Sequence, residues 1–446
     1  MSLKPPHILC VNPYIHDFAA FDFWAKPLGL MQIAAVLRKY GLNVDFLDCL
    51  DRFHPKETKP QKTLFDGRGA YRKTEIALPK GVEDIPQRYS RYGIEPDLFR
   101  HDLKKLKSLR KVDLILVTSL MTYWAPGVKE TISIIKEVFG SVPLVLGGIY
   151  ATLCTEHAEK ESGADIVVTG SAFGALNTII KKYTGFDMGF EYKKNDLDDL
   201  PYPALDMQHK IAYAPILTSI GCPFSCDYCA SSYLVPKFKR RSSESVFHEI
   251  NHWYYKYKVK NFAFYDDALL INGETHAYKL FEKIIESDMK LKFHTPNALH
   301  IKEITAKAAG LMFKAGFKTI RLGLETTDFK GRRFDKKVKE DEFYKAVANL
   351  KAAGFKASQI GAYLLCGLPD QDFGNVEKSF IKVKKCGIQP TLAYYTPIPH
   401  TKMWEKAKQF SKYNLEENPI FTNNTLFPCT FDKNPIKQIS RIKNLQ

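Results

Sequence analysis

No uninterrupted apolar run in the 446 residues approaches the roughly 20 that a membrane-spanning helix needs. The opening Met-Ser-Leu-Lys-Pro-Pro-His runs straight into a strand-like stretch. It lacks the charged head, apolar middle and small-residue cleavage site of a secretory signal, so a cytoplasmic location is expected. No block of five or more like charges marks a tail, and there is neither a short-period repeat nor a low-complexity tract. Glycine (26) and proline (24) are too sparse for a collagen-like or disordered chain. The nine cysteines are an odd number, which excludes a complete internal disulfide set.

What is present is an ordinary globular composition, 45% apolar and 26% charged, in a chain long enough for two or three domains at roughly 150 residues each. Lys and Arg total 65 against 49 acids. That surplus fits a nucleic acid, an anionic small substrate or plain solubility, and the even spread of the basic residues makes nucleic acid an unlikely partner. Six cysteines (10, 49, 154, 366, 386 and 429) are scattered, as small buried hydrophobes are. The other three cluster.

The first 190 residues alternate strand and helix signals. Strands are expected at His7–Val11, Val44–Leu47, Asp113–Val117, Val142–Leu146 and Asp165–Val168. Helices are expected at Gly29–Tyr40, Val128–Val138 and Thr155–Glu161, with Gly41 and Gly140 as stops. Strands alternating with helices imply a doubly wound, Rossmann-like parallel sheet. Residues 51–110 interrupt it with 15 Lys or Arg against 9 acids, and are too long for a plain loop, so an insertion with a capping role is expected. Residues 191–205 read as a polar, proline-flanked linker. Over 206–400 a second series follows, with strands at Ala214–Thr218, Phe262–Phe264, Leu291–Phe293, Thr319–Leu324, Ser358–Leu365 and Gln389–Tyr394. Helical segments such as His276–Ile285 and Asp341–Ala353 separate them. Six such units predict a partial (β/α)6 barrel, with 401–446 as a C-terminal extension.

Gly221-Cys222-Pro223-Phe224-Ser225-Cys226-Asp227-Tyr228-Cys229 follows the first strand of this second series. Three soft thiolates so spaced can fold round one iron–sulfur cube or a zinc ion. A Cys3His zinc site is the alternative, because His248 and His252 stand at helical i, i+4 spacing about twenty residues on. Three ligands on a four-iron cluster leave one iron open.

C-x3-C-x-aromatic-C on the first loop of a partial barrel resembles the signature of the radical S-adenosylmethionine (SAM) enzymes. The resemblance implies a [4Fe-4S] cluster on Cys222, Cys226 and Cys229 whose open iron binds SAM, with cleavage of the sulfonium to a 5′-deoxyadenosyl radical. It implies that Tyr228 lies by the adenine, that Asp266 and Asp267 meet the amino group, and that Asn297 and Glu325 also approach the cofactor. Gly367-Leu368-Pro369 and Pro397-Ile398-Pro399 match the fifth and sixth strand ends, with His400 standing where glycine is usual.

The first domain resembles the cobalamin-binding domain of B12-dependent members. The matching pieces are Asn12-Pro13, Thr118 to Trp124 and Gly147 to Thr152. This implies cobalamin contacts from Ser119, Met121, Thr122, Tyr123, Trp124, Gly147, Gly148, Ile149, Tyr150 and Thr152. Two departures stand out. The D-x-H-x-x-G that supplies a cobalt ligand is absent, which makes Tyr123 and Trp124 the expected cover for the lower face, and Gly170-Ser171-Ala172 replaces the usual Gly-Glu. The expected function is cobalamin-dependent methylation of an unactivated carbon in a small-molecule or peptide substrate, served by a reducing partner such as flavodoxin or ferredoxin. Rearrangement, cyclisation or oxidation on the same scaffold is the close alternative. A tRNA methylthiotransferase would need a second cluster on N-terminal cysteines, of which Cys10, Cys49 and Cys154 are the candidates; a cobalamin or iron–sulfur sensor would leave the barrel motifs unexplained.

Overall fold

The computed structural model describes residues 4–57, 61–83, 85–193, 197–331, 338–430, 432 and 434–445. The chain divides into two compact units, residues 1–212 with 416–421, and residues 213–415 with 422–446. Lys194, Asn195 and Asp196 of the expected linker lie outside the described residues. Among the described residues no helix is long and apolar enough to cross a membrane.

The first unit is built on five parallel strands, β1 (His7–Asn12), β2 (Asn43–Asp48), β3 (Leu114–Val117), β4 (Leu144–Leu146) and β5 (Ile166–Val167), in the order β2-β1-β3-β4-β5. The alternation of a strand divides its side chains between two cores. Leu9, Val11, Ile115, Val117, Leu144 and Leu146 face helices α2 (Pro96–Leu109) and α3 (Ala125–Phe139). Ile8, Cys10, Leu114, Leu116 and Val145 face α1 (Leu28–Lys39) and α4 (Phe173–Thr184) on the other side. With both faces covered, β1 is buried at every residue, as parallel sheets demand. Gly41, at φ +86°, lets the chain leave α1 and turn into β2.

The expected insertion at 51–110 is shorter than the sequence suggested. Its last part is α2, the crossover helix between β2 and β3, with Phe99 and Leu103 fully buried in the sheet core. The charged, helix-poor stretch before it is a true excursion. It holds Lys73–Glu75 and Ser90–Tyr92; the latter is the centre of a three-stranded antiparallel ribbon, with Ile15–Asp17 on one side and Lys73–Glu75 on the other. A buried ion pair, Arg52 to Asp22 at 2.9 Å, ties it down.

The second unit lays six parallel strands side by side in chain order: β6 (Ala214–Ile216), β7 (Asn261–Phe264), β8 (Lys292–His294), β9 (Phe317–Glu325), β10 (Ile360–Cys366) and β11 (Gln389–Tyr394). This is the expected open six-unit barrel. Helices α5 (Ser243–Tyr257), α6 (Ala277–Glu286), α7 (Ala306–Ala315), α8 (Glu340–Ala352) and α9 (Phe373–Lys385) connect them. Period-2 alternation again sorts the side chains. Phe262, Phe264, Phe293 and Phe317 form a fully buried aromatic layer with Phe281 of α6, with Phe264 and Phe317 stacked at 5.6 Å and 7°. The opposite face carries polar groups, among them His294, whose Nδ1 lies 3.0 Å from Thr319 Oγ1.

That layer holds β7, β8 and β9 in register. Phe317→Ala is expected to cost about 3–5 kcal/mol of unfolding free energy through lost burial and a residual cavity. Chemical denaturation monitored by far-UV circular dichroism checks it, and a loss below about 1 kcal/mol would mean the layer repacks.

Candidate functional site

The cysteine loop leaves β6 and returns as a short ribbon. Ser219–Ile220 pairs antiparallel with Lys239–Arg240, and the segment between them is the loop. Its base is pinned by a carboxylate. Asp266, 3% exposed at the end of β7, accepts hydrogen bonds from Thr218 N at 3.1 Å, Thr218 Oγ1 at 2.7 Å and Ser219 Oγ at 2.6 Å. Burial pushes its carboxyl pKa up, and those bonds oppose the shift. Beyond the base, Gly221 turns at φ +76°, where a Cβ would stand 3.1 Å from the carbonyl oxygens of Val235 and Lys237. Only glycine fits such a turn without displacing the neighbouring backbone.

Past Gly221, Cys222, Cys226 and Cys229 line one cavity of about 310 Å³. Tyr228, Asp267, Asn297 and Glu325 line the same cavity, so seven of the eight barrel residues singled out in the sequence converge there. Asp266 does not. Its expected role at a ligand's amino group is corrected to that of loop anchor, since the described bonds of its carboxylate go to Thr218 and Ser219 of its own barrel.

Each of the others is brought in by its strand. Asn297 Nδ2 donates to the Tyr265 carbonyl at 2.7 Å, which joins the ends of β7 and β8. The chain after β8 lies along β9, with Leu299 N donating to Arg321 O at 2.7 Å and Gly323 N to Leu299 O at 3.0 Å. The β9–β10 register then slips between Gly323 and Glu325, and Glu325 sits at φ +68°, a left-handed backbone that a non-glycine residue seldom holds. That bulge ends the strand and sets Glu325 at the cavity wall. Asp267 accepts a hydrogen bond from Ser231 Oγ at 2.9 Å, and burial raises its pKa while that bond lowers it.

The sequence reading missed several lining residues. Phe224 and His300 pack ring on ring at 4.6 Å, and Tyr363 donates its hydroxyl to the Pro296 carbonyl at 2.9 Å; both groups line the cavity. Tyr363 was legible in principle, as it stands on β10 directly across from Gly323 of β9. His300 carries no local signal, because it lies in a loop. His400, where glycine was expected, does hold a glycine-like backbone at φ +66°, and its ring stacks on Tyr233 at 4.2 Å and 5°.

Two rival constellations fail on geometry. Neither His248 nor His252 lines the cysteine cavity; His248 pairs with Glu244 at 3.1 Å on α5. Cys10 and Cys49, fully buried, fall in the two cores on opposite sides of the first sheet, so they cannot share a second cluster. Burial pushes the thiol pKa of Cys10 and of Cys154 up to about 12. Cys429 is likewise buried, its Sγ 3.6 Å from the Ala407 carbonyl.

In the first unit the expected residues sit at the carboxyl ends of β3 and β4, on the side where doubly wound sheets bind ligands. Their side chains divide into two sets. Ser119 Oγ donates to Gly147 O at 2.7 Å, Tyr150 OH lies 2.7 Å from His157 Nδ1, and Thr152 Oγ1 donates to Gly148 O at 2.8 Å. With Thr122 and Tyr123 these are buried and shape the edge from within. Met121, Trp124, Gly147, Gly148 and Ile149 keep exposed surface. Gly148, at φ +100°, would put a Cβ 2.2 Å from the Ser119 carbonyl, while a Cβ on Gly147 would meet nothing closer than 3.9 Å. One glycine therefore serves packing and the other leaves an open face. Trp124 donates its indole N–H to Asp17 at 2.7 Å. Tyr123, 4% exposed, is removed from the pair expected to cover a ligand.

Residues 216–380 match the model of the radical SAM superfamily. The second unit therefore carries a radical SAM domain. It is 25% identical over 387 residues to an uncharacterized methyltransferase of Pyrococcus horikoshii, spanning 79% of this chain and 80% of the relative. It is 22% identical to cytidylyl-2-hydroxyethylphosphonate methyltransferase of Streptomyces wedmorensis, over 72% and 65% of the two chains. It is 23% identical to an anaerobic magnesium-protoporphyrin IX monomethyl ester cyclase of Cereibacter sphaeroides, over 70% and 56%. The fold matches that of TsrM, a radical SAM methyltransferase from Kitasatospora setae solved with cobalamin and a [4Fe-4S] cluster, with a TM-score of 0.66 and 14% identity over 92% of this chain and 76% of that one. At that identity the likeness is one of fold.

The two adjacent aspartates are expected to separate experimentally. Asp266→Ala orphans buried donors at the base of the loop and should cost about 1–3 kcal/mol of stability. Asp267→Ala, which gives up one bond to a half-buried hydroxyl, should cost less. Equal losses in thermal and urea unfolding would assign both carboxylates a structural role.

Proposed function

We propose that this chain is a cobalamin-dependent radical SAM methyltransferase. The observation that carries the reading is the convergence of Cys222, Cys226 and Cys229 with Tyr228, Asp267, Asn297 and Glu325 on one cavity. The donor set fits the cofactors: three thiols on one turn suit an iron–sulfur cube with an open iron, and a carboxylate beside them suits an ammonium. With cluster and SAM bound there, one-electron reduction would cleave the sulfonium and deliver a 5′-deoxyadenosyl radical. Cys222, Cys226 and Cys229 hold the cluster, Asp267 takes the SAM amino group, and Tyr228 packs by the adenine. Asn297, tied to Tyr265, and Glu325, fixed by the β9 bulge, set the remaining polar contacts. The apolar Phe224 and Leu299 keep water from the reacting centre.

The reading extends to the first unit, where the open glycine at 147 and the exposed Ile149 leave room for a flat corrin against the backbone. Trp124 is the side chain with surface left to cover its lower face. Methyl transfer to an unactivated carbon is favoured by the methyltransferases among the relatives; the cyclases among them support ring closure on the same scaffold as the second reading.

The test is a cofactor count. After anaerobic reconstitution with iron, sulfide and hydroxocobalamin and removal of unbound metal, about four irons and one cobalt per chain are expected. Cys222→Ala, Cys226→Ala or Cys229→Ala should abolish the cluster spectrum, and Trp124→Ala should move the visible bands of bound cobalamin. Four irons without cobalt would leave a radical enzyme of the second kind. No iron would sink the reading.

A further inference from the structure

Ser231 stands between the third cysteine and the cavity carboxylate. It opens a four-residue helix, Ser231–Leu234, directly after the cysteine loop. Its hydroxyl donates to Asp267 Oδ2 at 2.9 Å, the Cys229 thiol donates to the same hydroxyl oxygen at 3.3 Å, and its backbone N–H donates to Cys229 Sγ at 3.5 Å. Ser231, Cys229 and Asp267 all line the cavity. A cysteine that ligates a metal gives up its proton. Sγ then becomes a pure acceptor, and the single proton of the Ser231 hydroxyl has two anionic acceptors within reach, one sulfur and one carboxylate. It can serve only one at a time.

Resting on the function proposed above, we propose that Ser231 is a positioning residue that couples SAM binding to the cluster's reduction potential. With no SAM bound, the hydroxyl stays on Asp267. When the SAM amino group takes that carboxylate, the hydroxyl turns to Cys229 Sγ. A hydrogen bond to a ligating sulfur stabilises the reduced, more negative cluster and raises its potential. The coupling runs both ways. Adding one electron to the cluster strengthens the bond to sulfur, frees Asp267 and tightens SAM binding. Binding and electron acceptance therefore favour each other, and the electron is accepted more readily once the molecule to be cleaved is in place.

The experiment compares the reconstituted wild type, Ser231→Ala and Ser231→Thr. Each is titrated reductively with and without saturating aza-SAM, the analogue with nitrogen in place of sulfur, and the midpoint is read by electron paramagnetic resonance. The wild type should show a positive shift on binding. Ser231→Ala should lose about tenfold of the affinity ratio between reduced and oxidised forms, which is about 59 mV of that shift for one electron. Ser231→Thr, which keeps the hydroxyl, should restore it. A purely structural Ser231 would change iron content or stability and leave the shift of the assembled cluster alone. Failure to assemble a cluster even in the wild type would refute the proposed function. A four-iron cluster with equal shifts in all three proteins would overturn the coupling and leave that function standing.

Discussion

Everything in the barrel's site hangs on one buried carboxylate. Asp266 gathers the backbone and hydroxyl of Thr218 and the hydroxyl of Ser219, and so fixes where the chain leaves β6. The ribbon at Ser219–Ile220 and Lys239–Arg240 closes the loop behind it. Within that frame three thiols need only the single left-handed turn at Gly221 to reach a common cavity. The cost of burying Asp266 is met by its donors, and a charge that is well bonded holds geometry better than an apolar contact because its directions are fixed.

Asp267 follows on the next residue of the same strand end and does something different. Successive residues of an extended chain point to opposite sides, so one carboxylate goes inward to the loop base and its neighbour to the cavity. The pair Asp266-Asp267 is thereby divided between architecture and chemistry. The same division recurs in the first unit, where Gly148 is required by the Ser119 carbonyl beside it and Gly147 leaves a face open.

The likeness to methyltransferases and to a cyclase is a likeness of scaffold. Relatives named for methyl transfer and for ring closure share it, while the wall of the cysteine cavity is drawn from this chain's own side chains. Phe224 against His300 and Tyr363 bonded to Pro296 make that wall partly aromatic and partly fixed by hydrogen bonds.

The sequence determined the two sheets, the order of the barrel strands and the three cysteines, because hydrophobic alternation and ligand spacing are local and survive without coordinates. It also determined that Tyr228 stands within the cysteine motif and that Asp267, Asn297 and Glu325 stand at strand ends. Only the tertiary structure decided which residues serve the cavity and which hold it. Asp266 and Asp267 look alike in sequence, and Tyr123 looks as available as Trp124, until packing buries one of each pair. The helix at Pro96–Leu109 read as part of an insertion because a charged stretch runs into it; its buried Phe99 and Leu103 show it to be a crossover. Ser231 had no signal at all, since its place depends on contacts made 36 residues apart. Burial and hydrogen-bond partners are long-range properties, and no local pattern carries them.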